Sequence, residues 1–355
     1  MKRMTRRLLA MLLAALMMVS ALPVYAAGDE APAQDDPWMD YAQEHLGNTL
    51  PFMREEELSF LEPGCQVYLG KRLSAYNSEL GELPYAMYPV FADGQVVAIA
   101  TVMQTEDGEL SFQAGPQFAE QLNEFIADNA NVALVVNEGS IQFINDEGET
   151  ETLSYFEDSA APAALSLTSD VECSEAVPVT AIQEVPKSRA YGEDSGTVPV
   201  KYVTQGNADI CWAACMASII NYYKGTNYLA SQVATATGNG LQGAEPWEYT
   251  SWYNNVYQIK ATLVQYPLSY DVVYSHASNG RPLHASLNNG SSQNYHGHSV
   301  VVRGCYISNS VVYYRIMNPW KYNGGLLVVQ MNSNGTFSID DGDCIMTQKK
   351  YVRFN

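Results

Sequence analysis

The chain has 355 residues, and 47% of them are apolar, which is enough for a large buried core and excludes a wholly disordered protein. Its 39 acidic residues outnumber its 19 basic residues, so the net charge of −20 argues against binding to nucleic-acid phosphates. After residue 30 no segment approaches the roughly 20 continuous apolar residues that a membrane helix needs. We therefore expect a folded protein of about two domains that binds no nucleic acid.

The first 26 residues have the pattern of a secretory signal peptide. Basic residues between Lys2 and Arg7 precede the apolar run Leu8–Val19. Val24 and Ala26 place small residues at the two positions that signal peptidase reads. We predict cleavage after Ala26 and a secreted, extracellular protein with no membrane attachment after the signal is removed.

The charge after this signal is divided unevenly along the chain. Residues 27–194 contain 32 acidic and 5 basic residues, whereas residues 195–355 contain 7 acidic and 10 basic residues. Such a break indicates two units with different roles.

Small, polar and proline residues with little periodicity separate the two units and are typical of a linker. We predict an acidic domain over residues 27–157, a linker over residues 158–197 and a second domain over residues 198–355. Lys187 and Arg189 are the only basic residues of the linker. They mark a candidate processing site, although a solvated linker would look the same.

The acidic domain has the pattern of a small α+β fold. Nothing in it combines a nucleophile with a base, and we expect its one histidine, His45, to be solvated among polar helix residues. The predicted elements are short helices over Asp40–Asn48 and Arg54–Leu61, a hairpin of Tyr85–Phe91 with Gln95–Gln104, a strand over Leu110–Gln113, a helix that Pro116 opens, and a hairpin of Asn131–Val136 with Ser140–Asn145.

The second domain contains the strongest chemical signal, a cysteine at the start of a helix. The apolar spacing after Asp209, a candidate N-cap, predicts a helix that ends at Gly225. Cys211 lies in the first turn, where the helix dipole and unpaired backbone N–H groups favour a reactive thiolate. Gln205 precedes it in a polar loop and could direct its amide N–H at the oxygen of an attacked carbonyl. Cys211 is the candidate nucleophile; the alternative is a small buried residue, as we expect for Cys215.

A nucleophilic thiol also needs a base and a group that orients the base. His298 begins an apolar strand, and a second strand over Val311–Met317 leads into Asn318. A hairpin with the three-residue loop 307–309 would place His298 directly opposite Asn318, on the same face. A two-residue loop would place them on opposite faces. His296, two residues before His298, faces the same side and is the alternative base.

Metal and disulfide patterns are weak in this chain. His296, His298 and Cys305 have no spaced second pair of ligands, so we predict neither a metal site nor a cofactor. A free nucleophile leaves five other cysteines, and export permits disulfides. The pairs that suggest themselves are Cys305 with Cys344 and Cys65 with Cys173.

Three separated sequence elements resemble the papain-like cysteine peptidases. They are Gln-x5-Cys-Trp-Ala-Ala at 205–214, Gly-His-Ser-Val-Val-Val-x-Gly at 297–304 and Asn-Pro-Trp at 318–320, in the family's order. The compact secreted bacterial branch that includes the staphopains is the most similar, over about residues 198–355. Unlike the plant-type papains, the chain has Ala208 where they carry a disulfide-forming cysteine.

The resemblance implies the roles of the residues in these elements. Cys211 is then the nucleophile, His298 the base, Asn318 the residue that orients the imidazole, and Gln205 the side chain that completes the oxyanion hole. The supporting residues are two tryptophans: Trp320, which would shield the histidine–asparagine hydrogen bond from water, and Trp212, which follows the nucleophile.

The resemblance also implies a papain-like α+β fold, with a nucleophile-helix subdomain and an antiparallel sheet or half-barrel subdomain after a small α+β pro-domain. The expected function is a secreted cysteine endopeptidase acting on protein or peptide substrates. It would be made as a zymogen whose pro-domain inhibits it or helps it fold. The alternatives are an amidase of cell-wall peptides or an acyl transferase with the same Cys–His pair, and a secreted binding protein with an idle peptidase fold.

Overall fold

The computed structural model describes residues 36–62, 64–77, 81–129, 131–137, 140–145, 148, 150–155, 177–178, 181–185, 194–291, 296–320, 325–340 and 344–355. The predicted signal peptide, the candidate processing site at Lys187 and Arg189, and Cys173 all lie outside these residues.

The N-terminal part, which we call the acidic unit (residues 37–155), combines strands with helices. Its elements are α1 (Pro37–Met53), β1 (Val67–Gly70), β2 (Leu73–Asn77), β3 (Gly81–Ala92), β4 (Gln95–Gln104), β5 (Leu110–Gly115), α2 (Ala119–Asp128), β6 (Asn131–Asn137), β7 (Ser140–Ile144) and β8 (Thr150–Tyr155).

The hairpin of β3 and β4 forms the centre of the acidic unit, as the sequence predicted. Asp93 (φ 51°) and Gly94 (φ 79°) both have left-handed backbones, which is the two-residue turn that matches the twist of paired strands. Alternate residues of β3 face opposite sides, with Tyr88 in one core and Met87 in the other. The sheet is therefore buried on both faces, and α1 and α2 supply apolar residues to different cores.

Helix α1 corrects the prediction for His45. This histidine is 4% exposed, and its Nδ1 lies 2.7 Å from the hydroxyl of Tyr313 in the C-terminal part of the chain. Ala42, Leu46 and Thr49 are buried on the same helix face, at the spacing of three and four residues that places side chains together. His45 is therefore part of a buried helix face and is not solvated.

Two helix predictions in the acidic unit were wrong: one helix is absent and another begins later than predicted. Residues 54–60, where a helix was predicted, form turns: the backbone closes in short hydrogen bonds such as Glu55 N to Phe52 O at 3.2 Å, and Glu56 and Glu57 reach Arg303. The later helix begins after the predicted Pro116, since Phe118 takes a left-handed backbone (φ 58°) and buries its ring in the core.

The C-terminal part, which we call the C-terminal region (residues 194–355), places helices before a sheet. The described segment ahead of it contains β9 (Val177–Pro178) and β10 (Ala181–Glu184). The region itself contains β11 (Asp194–Thr197), α3 (Cys211–Lys224), α4 (Ala230–Thr237), α5 (Pro246–Asn255), β12 (Ala261–Val264), α6 (Tyr270–Ser278), β13 (Leu283–Asn288), β14 (Gly297–Ser308), β15 (Val311–Asn318), β16 (Gly325–Gln330), β17 (Ser338–Asp340) and β18 (Ile345–Phe354).

The strands of the C-terminal region are antiparallel, in the order β12, β18, β13, β14, β15 and β16. Helices α3, α4 and α5 contribute to a core with β14 and β15 on one face, and α6 contributes to a core on the other. Strand β16 then pairs with β5 of the acidic unit, so both parts share one sheet. Residues 38–355 accordingly form one unit, and the predicted α+β class is confirmed.

The described parts of the predicted linker are extended. Strand β10 pairs with β1, and β11 pairs with β14. Gly304 permits the second pairing, because a Cβ there would lie 2.4 Å from the carbonyl oxygen of Gly196. Among the described residues, no helix is both long and apolar enough to cross a membrane.

The disulfide that the sequence left possible between Cys305 and Cys344 is not formed: Cys305 is a free, buried thiol. Its backbone N–H bonds the Ser195 hydroxyl at 2.9 Å, which ties β14 to the start of the C-terminal region instead. Cys65 is also a free thiol.

Two buried histidines predict a loss of stability in acid. Burial lowers the pKa of His45 to about 4 and that of His284 to about 3, from the usual 6.5. Below about pH 6.5 the unfolded chain binds these protons and the folded chain does not, so folding becomes less favourable. We expect urea unfolding to show a loss of about 3 kcal/mol per histidine between pH 6.5 and 4.

The His45→Gln variant should lose part of this pH dependence. His296→Gln is the control, because His296 is exposed. A His45→Gln chain with the full wild-type slope would contradict the prediction.

Candidate active site

Cys211 is the first residue of α3, as predicted, but the helix cap differs from the prediction. The N-cap is Ile210, and no side chain caps the first-turn N–H groups. Asp209 lies one residue too early, since Ile210 N bonds Ala208 O at 2.7 Å in a tight turn. This arrangement is chemically useful, because a capping carboxylate would occupy the N–H groups that can stabilise a thiolate or an oxyanion. The helix ends as predicted at Gly225, whose backbone is left-handed.

The rest of α3 is buried and fixes the position of Cys211. Residues 212–220 are buried, whereas Cys211 is half-buried. The helix shares a core with Val301 of β14 and Met317 of β15. These two strands also carry His298 and Asn318, so the helix that begins with the candidate nucleophile packs on the strands of the candidate base and its partner.

Cys215 lies one turn further along α3 and is fully buried. Burial raises the pKa of its thiol well above the usual value, with a contribution from Cys211. A thiol of this kind is inert. The prediction of Cys215 as a core residue is confirmed, and Cys211 is the one exposed to reagents.

His298 and Asn318 form a buried hydrogen bond. His298 Nε2 lies 2.8 Å from Asn318 Oδ1, and the two residues are 4% and 1% exposed. Because the amide oxygen accepts, Nε2 carries the proton, and Nδ1 is the ring nitrogen that can exchange a proton with a thiol or substrate. The backbone N–H of Trp320 lies 3.4 Å from the same Oδ1. The indole of Trp320 meets the imidazole edge-on at 6.3 Å, which limits the access of water to the bond.

The loop and the register of the β14–β15 hairpin differ from the sequence prediction, although His298 and Asn318 still meet. Its loop is the two residues Asn309 and Ser310, both left-handed, and Ser308 pairs with Val311. That turn alone would place His298 and Asn318 on opposite faces. A β-bulge at Arg303 adds one residue to β14 and restores the common face.

The register beyond the bulge determines the contact. Val301 pairs with Met317, so His298 lies diagonally across from Asn318, offset by two residues. The expected direct pairing through a three-residue loop was therefore wrong, but the diagonal contact is within reach of long side chains. The alternative base His296 is exposed, and its backbone N–H bonds Asn289 Oδ1 at 3.2 Å.

Gln205 lies beside the asparagine turn. Its backbone N–H donates to Pro319 O at 2.8 Å, and its side chain is buried. Nε2 donates one hydrogen to Ala208 O at 3.1 Å, just before α3, and Oε1 has no hydrogen-bond partner among the described residues. One N–H of the amide thus remains for a substrate oxygen.

Trp212 holds a loop against the start of α3. Its indole N–H donates to Gln242 O at 2.8 Å, and Asn239 Nδ2 lies 3.2 Å from the same oxygen. The Trp212 ring also contacts Trp252 at 4.7 Å. Its supporting role is therefore to fix the loop beside the nucleophile.

Two tyrosines near the site have no sequence signal. The hydroxyl of Tyr202 bonds the carbonyl of Trp320. Tyr249 is buried, its ring stacks on His284 at 4.3 Å, and burial raises its pKa, with Cys211 and Cys215 adding to the effect. No motif or spacing distinguishes these tyrosines from the other 22 of the chain.

The comparisons with known proteins agree with this chemistry. Residues 197–333 match the sequence model of the Peptidase_C39 like family. The chain is a cysteine-type peptidase. No curated protein matches it significantly.

Two solved structures are similar to part of the peptidase. One is a mite allergen from a study of antibody cross-reactivity between Blo t 1 and Der p 1, with 16% identity over 46% of this chain and 71% of that chain. The other is procathepsin B S9 from Trypanosoma congolense, with 14% identity over 46% of this chain and 79% of that chain. Both TM-scores are 0.31, too low to define the fold.

Substitution of Asn318 tests the role of its hydrogen bond. We expect Asn318→Ala to lower kcat by about 100-fold, because the imidazole loses its orientation while the protein stays folded. Asn332→Ala is the matched control, since this buried asparagine bonds Thr336 and Ser338 instead. Steady-state kinetics with a peptide substrate would contradict the assignment if both variants lost activity equally.

Proposed function

We propose that this peptidase is a secreted endopeptidase that hydrolyses peptide bonds through Cys211, His298 and Asn318. The observation that carries the proposal is the buried 2.8 Å bond between His298 Nε2 and Asn318 Oδ1. It leaves Nδ1 for the thiol, and Cys211 begins a helix that packs on the same strands through Val301 and Met317. This combination of nucleophile, base and orienting group is what thiol catalysis requires.

The mechanism follows from these positions. His298 Nδ1 accepts the proton of the Cys211 thiol, and the thiolate attacks the carbonyl carbon of the scissile bond. The carbonyl oxygen becomes an oxyanion, which the N–H of Gln205 Nε2 and a first-turn N–H of α3 bind. His298 then donates its proton to the leaving amine as the C–N bond breaks. Water, deprotonated by His298, hydrolyses the thioester and restores the thiol.

The proposed architecture is papain-like. Helices α3 to α5 would form the nucleophile subdomain, and β13 to β18 the sheet subdomain. The order of the three sequence elements supports this arrangement and the staphopain-like branch. An amidase of cell-wall peptides or an acyl transferase would use the same Cys–His pair, so casein and purified peptidoglycan are the substrates that separate these activities.

Cys211 is the residue on which the proposal depends. We expect Cys211→Ala to abolish turnover of casein, because no other described thiol combines exposure with a helix start. Cys215→Ala is the matched control on the same helix and should retain activity. An epoxide inhibitor of papain-type enzymes should form one adduct, on Cys211, by mass spectrometry.

The outcomes of this experiment also address the idle-fold alternative. A chain with no adduct and no turnover, both when intact and after a protease cut in the linker, would be a binding protein with an inactive peptidase fold. An adduct that forms only after the cut would identify a latent precursor. Turnover by the Cys211→Ala variant would contradict the assignment of the nucleophile.

Gln205 provides a separate test of the oxyanion site. We expect Gln205→Ala to lower kcat by about 100-fold with little change in KM, because its donor acts on charge that develops in the transition state. Gln242→Ala is the control: this glutamine is exposed and contributes to the site through its backbone carbonyl. A rise in KM with unchanged kcat would assign Gln205 to substrate binding instead.

Export and synthesis as a precursor complete the proposal. The signal-like residues 1–26 support export, and the acidic unit ahead of the C-terminal region supports a precursor. The sequence left two roles for that unit, inhibition and assistance with folding. Its contacts with β16, Trp320 and Arg303 favour a role in the folded state of the enzyme.

A further inference from the structure

Three independent contacts join the acidic unit to the hairpin of His298 and Asn318 and to the residues that follow it. We propose that the acidic unit is a permanent part of the active peptidase, which positions His298 and Asn318 by supporting Trp320 and Arg303. The inference rests on the proposed function, because the pair it positions is the proposed base and its orienting residue.

The first contact is a shared sheet. Strand β16 pairs with β15 on one side, where Gly325 lies opposite Asn318, and with β5 on the other side, where Val328 lies opposite Ala114.

Gln113 of β5 forms two further bonds, both with Asp340 of β17. Its Nε2 donates to Asp340 Oδ2, and its Oε1 accepts from Asp340 N at 3.3 Å. Removal of the acidic unit would leave β16 as an unpaired edge strand with buried polar groups exposed at its border.

The second contact is the environment of Trp320. This tryptophan is 6% exposed, and every other buried residue of its apolar core lies in the acidic unit. Its indole is also the group that meets the imidazole of His298 edge-on. The acidic unit therefore forms the wall on which Trp320 rests. Without that wall, Trp320 would lose its apolar surroundings, and water would reach the bond between His298 and Asn318.

The third contact is a buried ion pair at the bulge. Arg303 is the extra residue of β14, and its guanidinium is 3% exposed. It pairs with Glu56, and the carboxylate of Glu57, which is fully buried, lies 4.0 Å away. Removal of both glutamates would leave a buried cation without a partner, which is strongly destabilising. The bulge that sets the face of His298 thus depends on charges from the acidic unit.

Residues of the acidic unit also contact the β14–β15 hairpin near its turn. Phe52 stacks on Tyr306 at 3.9 Å, and His45 bonds Tyr313. The acidic unit therefore follows the hairpin from its turn to the catalytic end. An inhibitor that covers only the cleft would not need this support.

The first test uses the full chain with a specific protease site inserted between residues 158 and 176. After cleavage in native buffer, we expect both fragments to elute together and the rate of epoxide labelling at Cys211 to stay within twofold of the uncut chain. Separate elution with faster labelling or turnover would overturn the proposal and establish an inhibitor that is released.

The second test changes the ion pair. We expect the double variant Glu56→Gln/Glu57→Gln to lower kcat at least about tenfold with KM unchanged, because the imidazole would be misplaced while the binding cleft is kept. Glu55→Gln is the matched control, since Glu55 is exposed. Unchanged kcat in a folded double variant, or a rise in KM with unchanged kcat, would overturn the positioning role.

A third measurement separates failure of this inference from failure of the proposed function. Hydrogen exchange of residues 325–330 is independent of catalysis, and we expect equal protection in the cut and uncut chains. Absence of labelling and turnover in both the intact and the cut chain would refute the proposed function alone. Loss of protection on cutting would refute the permanent association, whatever the activity.

Discussion

The hydrogen bond between His298 and Asn318 is the constraint on which the other features of the site depend. It joins two strands of one hairpin, so it forms only if both side chains face the same side. The two-residue turn alone would place the two side chains on opposite faces of the hairpin. The one-residue bulge shifts the register once more and returns them to the same face. The extra residue at Arg303 is therefore what returns His298 and Asn318 to a common face. The cost of a bulged strand is offset where the guanidinium meets Glu56 and Glu57.

The local parts of this arrangement could be predicted from the sequence. Apolar spacing located α3 and its first residue Cys211, and strand periodicity located β14 and β15. The hairpin of Tyr85–Phe91 with Gln95–Gln104 was also predicted correctly, because Asp93 and Gly94 between its strands tolerate the left-handed backbone that the turn needs. In each case neighbouring residues along the chain determine the structure.

The predictions that were wrong concern features that depend on residues far apart in the sequence. The bulge at Arg303 has no local signal, since its partners Glu56 and Glu57 lie about 250 residues upstream. Glu56 and Glu57 lie within the turns at 54–60, where a helix was predicted. His45 had polar neighbours and was expected to be solvated, but its partner Tyr313 comes from β15. Asp209 satisfied the rules for an N-cap, yet the turn at Ala208 moved the cap to Ile210 and left the first N–H groups of α3 open.

The ion pairs between the two parts of the chain give the uneven distribution of charge a structural role. Residues 27–194 carry most of the acids, and the sequence alone suggests two separable units. The boundary in charge is nevertheless not a boundary in packing, because β5 extends the peptidase sheet and Trp320 lies in the core of the acidic unit. Arg315, whose side chain is 2% exposed, likewise forms an ion pair with an acid from the acidic stretch, Asp194. A fragment limited to residues 198–355 would contain every proposed catalytic group and still lack the partners of both arginines. The acidic stretch of the chain therefore supplies the counter-charges of two arginines that are buried in the hairpin of His298 and Asn318.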